Sequence, residues 1–476
     1  MKYTAIAQLQ TQEQFLQYLQ NLPTTFPFEL AKEITPDIFQ EPFKLKNGFQ
    51  IGNRFCIHPM EGWDGTEDGR PTEHTIRRWR NFGKSGAKLI WGGEAVAVMH
   101  EGRANPNQLI LNKSTSSEIK YLLNELKKAH HEAGNSLEDL YVGLQLTHSG
   151  RFARPNIKSQ LEPKILYHHP YLDEKFGLSP DYPLLTDAEI ETIIQHFFET
   201  AVLAEEIGFD FVDVKHCHGY LGHEFLTARE PNGKYRGSFE NRTRFLREIV
   251  TGIRAYTSLN IGVRLSGFDL VAFNPSKETH IGQPVSQDEY PQPFGADCKD
   301  YQLVNLTETK QFLSLLQELI IELVNITAGS PYYNPHIQRP AMFPPSDGYK
   351  PPEDPLVGVI RQINAVAELK QSFPELVFVG TGYTYLQEWL TLVAQSALES
   401  NSVDFIGLGR MVLSYPEFPS DMLKGKSTDK RKLCRTFSDC TTAPRCGLIS
   451  GCYPLDHYYK DLPEFVELKK KKKLAK

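Results

Sequence analysis

The sequence predicts an α/β fold, a (β/α)8 TIM barrel with an N-terminal extension, long βα loops and a short C-terminal cap. Two observations carry this prediction. From residue 51 onward, short apolar runs alternate with longer segments of helical period, the rhythm of βαβ units and parallel sheets. There are eight such runs, which is the strand count of a closed barrel. An open, doubly wound sheet is the other arrangement this rhythm allows, because periodicity does not report closure.

The eight runs are RFCIHP (54–59), KLIWGGEAVA (88–97), YVGLQLT (141–147), FDFVDVK (209–215), NIGVRLS (260–266), ELVNITA (322–328), LVFVGTG (376–382) and VDFIGLGR (403–410). Helical period appears between them at 73–83, 114–134, 186–207, 240–256, 307–318, 356–372 and 384–398. The helix at Thr186 opens on Thr-Asp-Ala-Glu, a capping box whose threonine oxygen can accept from first-turn amides. Residues 1–44 read as an extension with a short helix over 11–20. Residues 45–425 read as the barrel, and 426–476 as a cap with a lysine-rich tail. Three long connections, 148–185, 267–303 and 329–355, follow strand ends. In barrels, that is the face on which sites are built.

Composition narrows the function. Apolar residues make up 40% and charged residues 23%, a globular profile whose core requires neither disulfide nor metal. A net charge of −6 argues against nucleic acid as a partner. No stretch reaches the roughly 18 apolar residues of a membrane span. The start, MKYTAIAQLQTQEQ, lacks the pattern of a secretory leader, and seven cysteines without one suggest a reducing cytoplasm. The run Lys469–Lys473 reads as a solvated, disordered tail rather than a membrane or nucleic-acid arm. A homo-oligomer is left open.

The chemistry-bearing residues gather at strand ends. Strand seven runs into Gly380-Thr381-Gly382, and strand eight into Gly407-Leu408-Gly409-Arg410. Glycine lets backbone amides approach phosphate oxygens, and arginine adds a bidentate charge, so the pair reads as a phosphate cradle. Tight turns without a ligand would look similar. Strand four ends in Lys215-His216-Cys217-His218-Gly219-Tyr220. Such side chains are costly in a barrel core and suit its mouth, where His and Tyr carry protons. Zinc on His216 and His218 is disfavoured, because H-x-H alone is not a metal signature.

Four stretches carry a resemblance. HGYLGHEFL (218–226) with GKYRGSFENRTRFLREIV (233–250), Asn53 to Met60, GLQLTHSGR (143–151) and Ile406 to Arg410 together resemble the old yellow enzyme family, in order, over residues 45–425. The resemblance implies an NAD(P)H-dependent FMN oxidoreductase acting on a small-molecule substrate such as an activated C=C bond. It implies that Pro59, Met60 and Ala95 line the flavin and that Gln145 hydrogen-bonds its pyrimidine edge. Arg264 would lie near N1 and O2, while Gly380, Gly382, Gly409 and Arg410 would hold the phosphate. Lys215 and His218 would bind a substrate oxygen, with Tyr220 as proton donor. Two positions depart from the family. Lys215 replaces a usual His and adds a positive charge that favours anionic substrates. Glu61 replaces a usual Thr or Cys beside the flavin, where an ionised carboxylate would disfavour the anionic reduced ring.

Two further readings stay open: a catalytically altered flavin-binding scaffold acting through a partner, and a barrel lyase with Lys215 as Schiff-base former. Trp63, Trp91, Tyr332 and Tyr333 are candidates for an aromatic roof, although aromatics more often pack. Cys434, Cys440, Cys446 and Cys452 recur with five residues between neighbours. Larger relatives ligate a 4Fe-4S cluster after the barrel with tighter spacing. Here the default is reduced thiols and no metal, with an iron–sulfur cluster the less favoured reading.

Overall fold

The computed structural model describes residues 3–230, 233–346 and 348–474. The β-branched and aromatic runs form eight strands: β1 (Phe55–Ile57), β2 (in two segments, Leu89–Ile90 and Ala95–Ala97), β3 (Tyr141–Thr147), β4 (Phe211–Val214), β5 (Asn260–Phe268), β6 (Leu323–Ala328), β7 (Val377–Gly380) and β8 (Phe405–Leu408). Each pairs in parallel with the next, and β8 returns to β1 with Ile406 opposite Phe55 and Leu408 opposite Ile57. Closure removes the open-sheet alternative and all eight predicted strands are present.

Strand β2 breaks where the sequence suggests one continuous run. Gly92 and Gly93 adopt φ of 146° and 49°, which side-chain-bearing residues rarely adopt. A Cβ on Gly92 would stand 2.7 Å from the Gln145 amide nitrogen, and one on Gly93 2.7 Å from the Trp79 ring. The kink lets the chain leave the barrel wall and return with Ala95 paired to Gln145.

The layer outside the strands is α1 (Glu73–Lys84), α2 (Ser116–Glu132), α3 (Asp187–Ile207), α4 (Phe239–Tyr256), α5 (Thr307–Glu318), α6 (Pro355–Ser372) and α7 (Leu390–Glu399). Helix α3 shows why they form. Thr186 Oγ1 accepts from the Glu189 amide, and the Glu189 carboxylate accepts from the Thr186 amide at 2.9 Å. Ile190, Ile193, Ile194, Phe197 and Ala201 then repeat at helical spacing and are buried against the barrel. The predicted helix over 384–398 differs in its first half. Tyr383–Trp389 is a tighter 3-10 segment, kinked at Gln387 (φ 50°), before α7 begins.

The extension contributes a helix, Gln12–Gln20, capped by Thr11. It lies beside the start of α7, with Phe15 stacked on Trp389 at 5.0 Å. The hairpin Phe43–Lys44 and Gln50–Ile51 follows it. Its Leu45 and Ile51 pack with Cys56, Tyr141 and Phe405 and fill the N-terminal end of the barrel. The cap holds short helices, Asp439–Arg445 and His457–Lys460, and the helix Pro463–Leu474. It docks on α1 through Arg77, which bonds Asp456 at 2.8 Å and lies over the Tyr458 ring. The expected disordered tail is corrected: Lys469–Lys473 are helical. Phe465 and Leu468 anchor that helix in the cap core, Lys472 pairs with Asp439, and Lys471 lies 3.4 Å from Glu467. Among the described residues, no helix is long and apolar enough to cross a membrane.

Candidate functional site

A cavity of about 300 Å³ opens at the C-terminal ends of the strands. It gathers twelve of the thirteen sequence-selected site residues: Pro59, Met60 and Glu61 from the β1 exit, Ala95 on β2, Gln145 on β3, and Lys215, His218 and Tyr220 from the β4 exit. Arg264 on β5, Gly382 after β7, and Gly409 and Arg410 after β8 complete the set. Gly380 is the exception. It does not line the cavity, and a Cβ there would meet the Tyr383 ring at 3.1 Å, so that ring accounts for its lack of a side chain.

Asp213 organises the floor, and sequence reasoning passed over it. This buried carboxylate accepts from Gln145 Nε2 at 2.5 Å, from Trp91 Nε1 at 2.8 Å and from the Arg264 amide at 2.7 Å. It thereby ties β2, β3 and β5 to β4. Burial lifts its pKa to about 6, against these donors. Its signal was a carboxylate between two valines of an inner strand, which must find buried partners. Arg264 donates to the Pro59 carbonyl at 3.2 Å, while its Nε is buried without a hydrogen-bond partner among the described residues.

Beyond β4 the chain turns through two left-handed residues, His218 (φ 66°) and Gly219 (φ 78°). The His218 amide donates to Ser266 Oγ at 2.9 Å, and Ser330 Oγ donates to the His218 carbonyl at 2.9 Å, so neighbouring strands hold the turn. His218 presents its ring to the cavity, with Nε2 3.3 Å from Thr327 Oγ1. Burial, then Arg264 and Lys215, push its pKa well down, so it is neutral. His216 turns the other way, against Phe245 and Phe312 in the helical layer. The two rings therefore share no site. Lys215 is 6% exposed, and its ammonium lies 3.7 Å from the Tyr220 ring centroid. Burial lowers its pKa.

The Tyr220 hydroxyl donates to Glu61 Oε2 at 2.9 Å and lies 3.0 Å from the Tyr332 hydroxyl. Trp63 Nε1 donates to Glu61 Oε1 at 3.1 Å. Burial, then Glu61, push the Tyr220 pKa well up. Of the four aromatic candidates, Trp63 and Tyr332 line the cavity. Trp91 is buried in the barrel, and Tyr333 is buried against Asp269 at 2.6 Å. Those two are packing residues.

At the other end, Arg410 lines the cavity with a buried Nη1 that has no hydrogen-bond partner among the described residues. Gly382 adopts φ 91°. Arg339, after β6, lines the same end, and burial together with Arg410 pushes its pKa down. Arg445 of the cap also reaches the cavity. Neither arginine carried a signal in the sequence, because Arg339 follows the short helix Pro335–Gln338 in a long connection and Arg445 ends a short cap helix far along the chain. Several like charges converging on one cavity end form a site for an anion. Cap residues Ser450, Gly451 and Tyr459 cover the mouth, with the Trp63 amide donating to Ser450 Oγ at 3.1 Å. Cys440 also lines the cavity, whereas Cys434 and Cys452 are buried. Among the described residues, no group of three or more His, Cys, Asp or Glu side chains is arranged to hold a metal ion.

The sequence profile of the NADH:flavin oxidoreductase / NADH oxidase family matches residues 37–312. The chain is 26% identical over 401 residues to an NADH oxidase of Thermoanaerobacter brockii, covering 83% of this chain and 52% of that protein. It thus spans about half that relative's length. It is 25% identical over 394 residues to an NADPH dehydrogenase of Bacillus velezensis, covering 82% of this chain and 95% of that protein. An old yellow enzyme homologue from Zymomonas mobilis shares the fold, with a TM-score of 0.55, 21% identity and coverage of 84% of this chain and 97% of that one.

Proposed function

The chain belongs to the NADH:flavin oxidoreductase / NADH oxidase family, and from that premise we propose that it is an FMN-dependent enzyme that uses NAD(P)H to reduce an electrophilic small molecule such as an activated C=C bond. The observation that supports this reading is that Gln145, Arg264, Gly382, Gly409 and Arg410 line one cavity at the C-terminal ends of the strands.

The donor set fits FMN. Arg410 Nη1 and Arg264 Nε are buried and unpartnered among the described residues, and one anion pocket matches one phosphate. Arg410 and the amides around Gly382 and Gly409 would hold that phosphate. Gln145, aligned by Asp213, would read the pyrimidine edge. Arg264 would stabilise negative charge near N1 and O2. Pro59, Met60 and Ala95 would line the ring, with Glu61 just beyond them. Bound FMN would supply hydride relay between the nicotinamide and the substrate. Lys215 and neutral His218 would bind the substrate oxygen, and Tyr220 would give the proton. Cap residues Ser450, Gly451 and Tyr459 line the same cavity. The cytoplasm is the compartment in which its thiols would remain reduced.

Anaerobic stopped-flow mixing tests this reading. NADH or NADPH should bleach the bound flavin, and a conjugated carbonyl should restore it. A flavin that neither nicotinamide reduces would overturn the enzymatic part of the proposal.

A further inference from the structure

We propose that Glu61 is the proton partner of Tyr220, a catalytic carboxylate that recharges the phenol each time it protonates the substrate; the proposal rests on the function given above. Glu61 follows directly on Pro59 and Met60 at the β1 exit, and its carboxylate faces the cavity rather than solvent alone. Each oxygen is engaged: Oε1 accepts from Trp63 Nε1 at 3.1 Å and Oε2 from the Tyr220 hydroxyl at 2.9 Å.

That second bond constrains the chemistry. A phenol has one proton, and here it points at a carboxylate. While Glu61 is ionised, Tyr220 has no proton free for a substrate, and the pair is built to accept one. With Glu61 protonated, the pair holds a proton more than it needs, and Tyr220 can release its own. The step balances as follows. The acceptor carbon of the substrate takes the hydride that originates from NAD(P)H. The adjacent carbon takes the Tyr220 proton, so a phenolic O–H bond breaks as a C–H bond forms. The phenolate oxygen then takes the proton of the Glu61 carboxyl across the existing hydrogen bond. Glu61 regains a proton from water.

The surroundings suit a transient phenolate. Lys215, at the β4 exit, lies 3.7 Å from the Tyr220 ring centroid and offsets negative charge there. Tyr332, after β6, lies 3.0 Å from the phenol oxygen and can donate to it. Arg154, after β3, lies 6.0 Å from the Tyr332 ring, and Arg445 reaches the cavity from the cap. Arg264 lines the same cavity, and these cations stand around Glu61 and its two tyrosines. In the reverse direction the same pair would take a proton from a substrate that gives up hydride to the flavin.

The test compares the flavin-loaded parent with Glu61→Gln, Glu61→Asp and Tyr220→Phe. The first readout is independent of turnover. Alkaline difference absorbance of tyrosinate, with Tyr220→Phe subtracted, reports ionisation of Tyr220 itself. Gln keeps the shape of Glu but has no charge, so Tyr220 should ionise at lower pH in Glu61→Gln. The second readout is reoxidation of the reduced flavin by a conjugated carbonyl. It should slow by roughly tenfold or more in Glu61→Gln, as for loss of a proton-transfer group, and recover in part in Glu61→Asp. Unchanged Tyr220 ionisation, or reoxidation at the parent rate in Glu61→Gln, would overturn the relay and leave the proposed function standing. A parent that holds no flavin would overturn both.

Discussion

At the scale of single residues, the account assigns distinct jobs to cations that share one cavity. On the proposed function Arg264 meets charge that develops only on reduction, so Arg264→Ala should slow flavin reduction by the equivalent of about 3 kcal/mol. Stopped-flow reduction by NAD(P)H measures this directly. Lys215 lies against Tyr220 and on the proposed function binds the substrate oxygen, so Lys215→Ala should spare reduction and slow reoxidation by a carbonyl substrate on the order of 10²-fold. Equal effects on both half-reactions would contradict that division. Asp213 gives a prediction in pH. Its folded pKa of about 6 lies above the usual 3.8, so the folded chain binds more protons between those values. Stability on its account is greatest below about 4, falls as pH rises and is lost above about 6. Denaturant midpoints of Asp213→Asn should lack that falling component, although the variant is weaker at every pH because an amide cannot accept from three donors. Residue placement was legible where a motif spelled it, as at Lys215, His218 and Arg410, which all line the one cavity. Asp213, Arg339 and Arg445 were not, because their partners lie on other strands and loops.

At the scale of elements, the strands and helices were legible because hydrophobic period reports which faces are buried. All eight runs became strands, and six of the seven helical stretches became helices with ends shifted by at most two residues, while the seventh begins six residues late. Two elements escaped that signal for physical reasons. Strand β2 kinks at Gly92 and Gly93, where close approach to Gln145 and Trp79 matters and apolar period continues unbroken. The Tyr383–Trp389 segment is apolar at helical spacing, yet a left-handed Gln387 divides it from α7. The capping box at Thr186 makes a testable contribution. Thr186→Ala removes an acceptor for a first-turn amide and should cost about 1 kcal/mol in denaturant unfolding. A loss well below that would mean that packing alone holds α3.

At the scale of the whole molecule, the barrel, the extension and the cap combine to enclose one site. The hairpin at Phe43–Ile51 fills one end of the barrel, and the cap covers the other. Closure was not legible from period, because open and closed sheets share it; only the return of β8 to β1 settles it. The cap was harder still. Its lysine-rich end reads as solvated tail, whereas Phe465 and Leu468 anchor it as helix. The central claim, that this enclosure is an FMN site, has a direct measurement. The protein is purified, scanned in the visible range, then denatured, and the released cofactor is identified by chromatography against FMN and FAD standards. The account predicts flavin bands and release of FMN alone. A colourless protein that added FMN neither colours nor stabilises, where saturation at 100 times Kd should contribute about 2.7 kcal/mol, would contradict it.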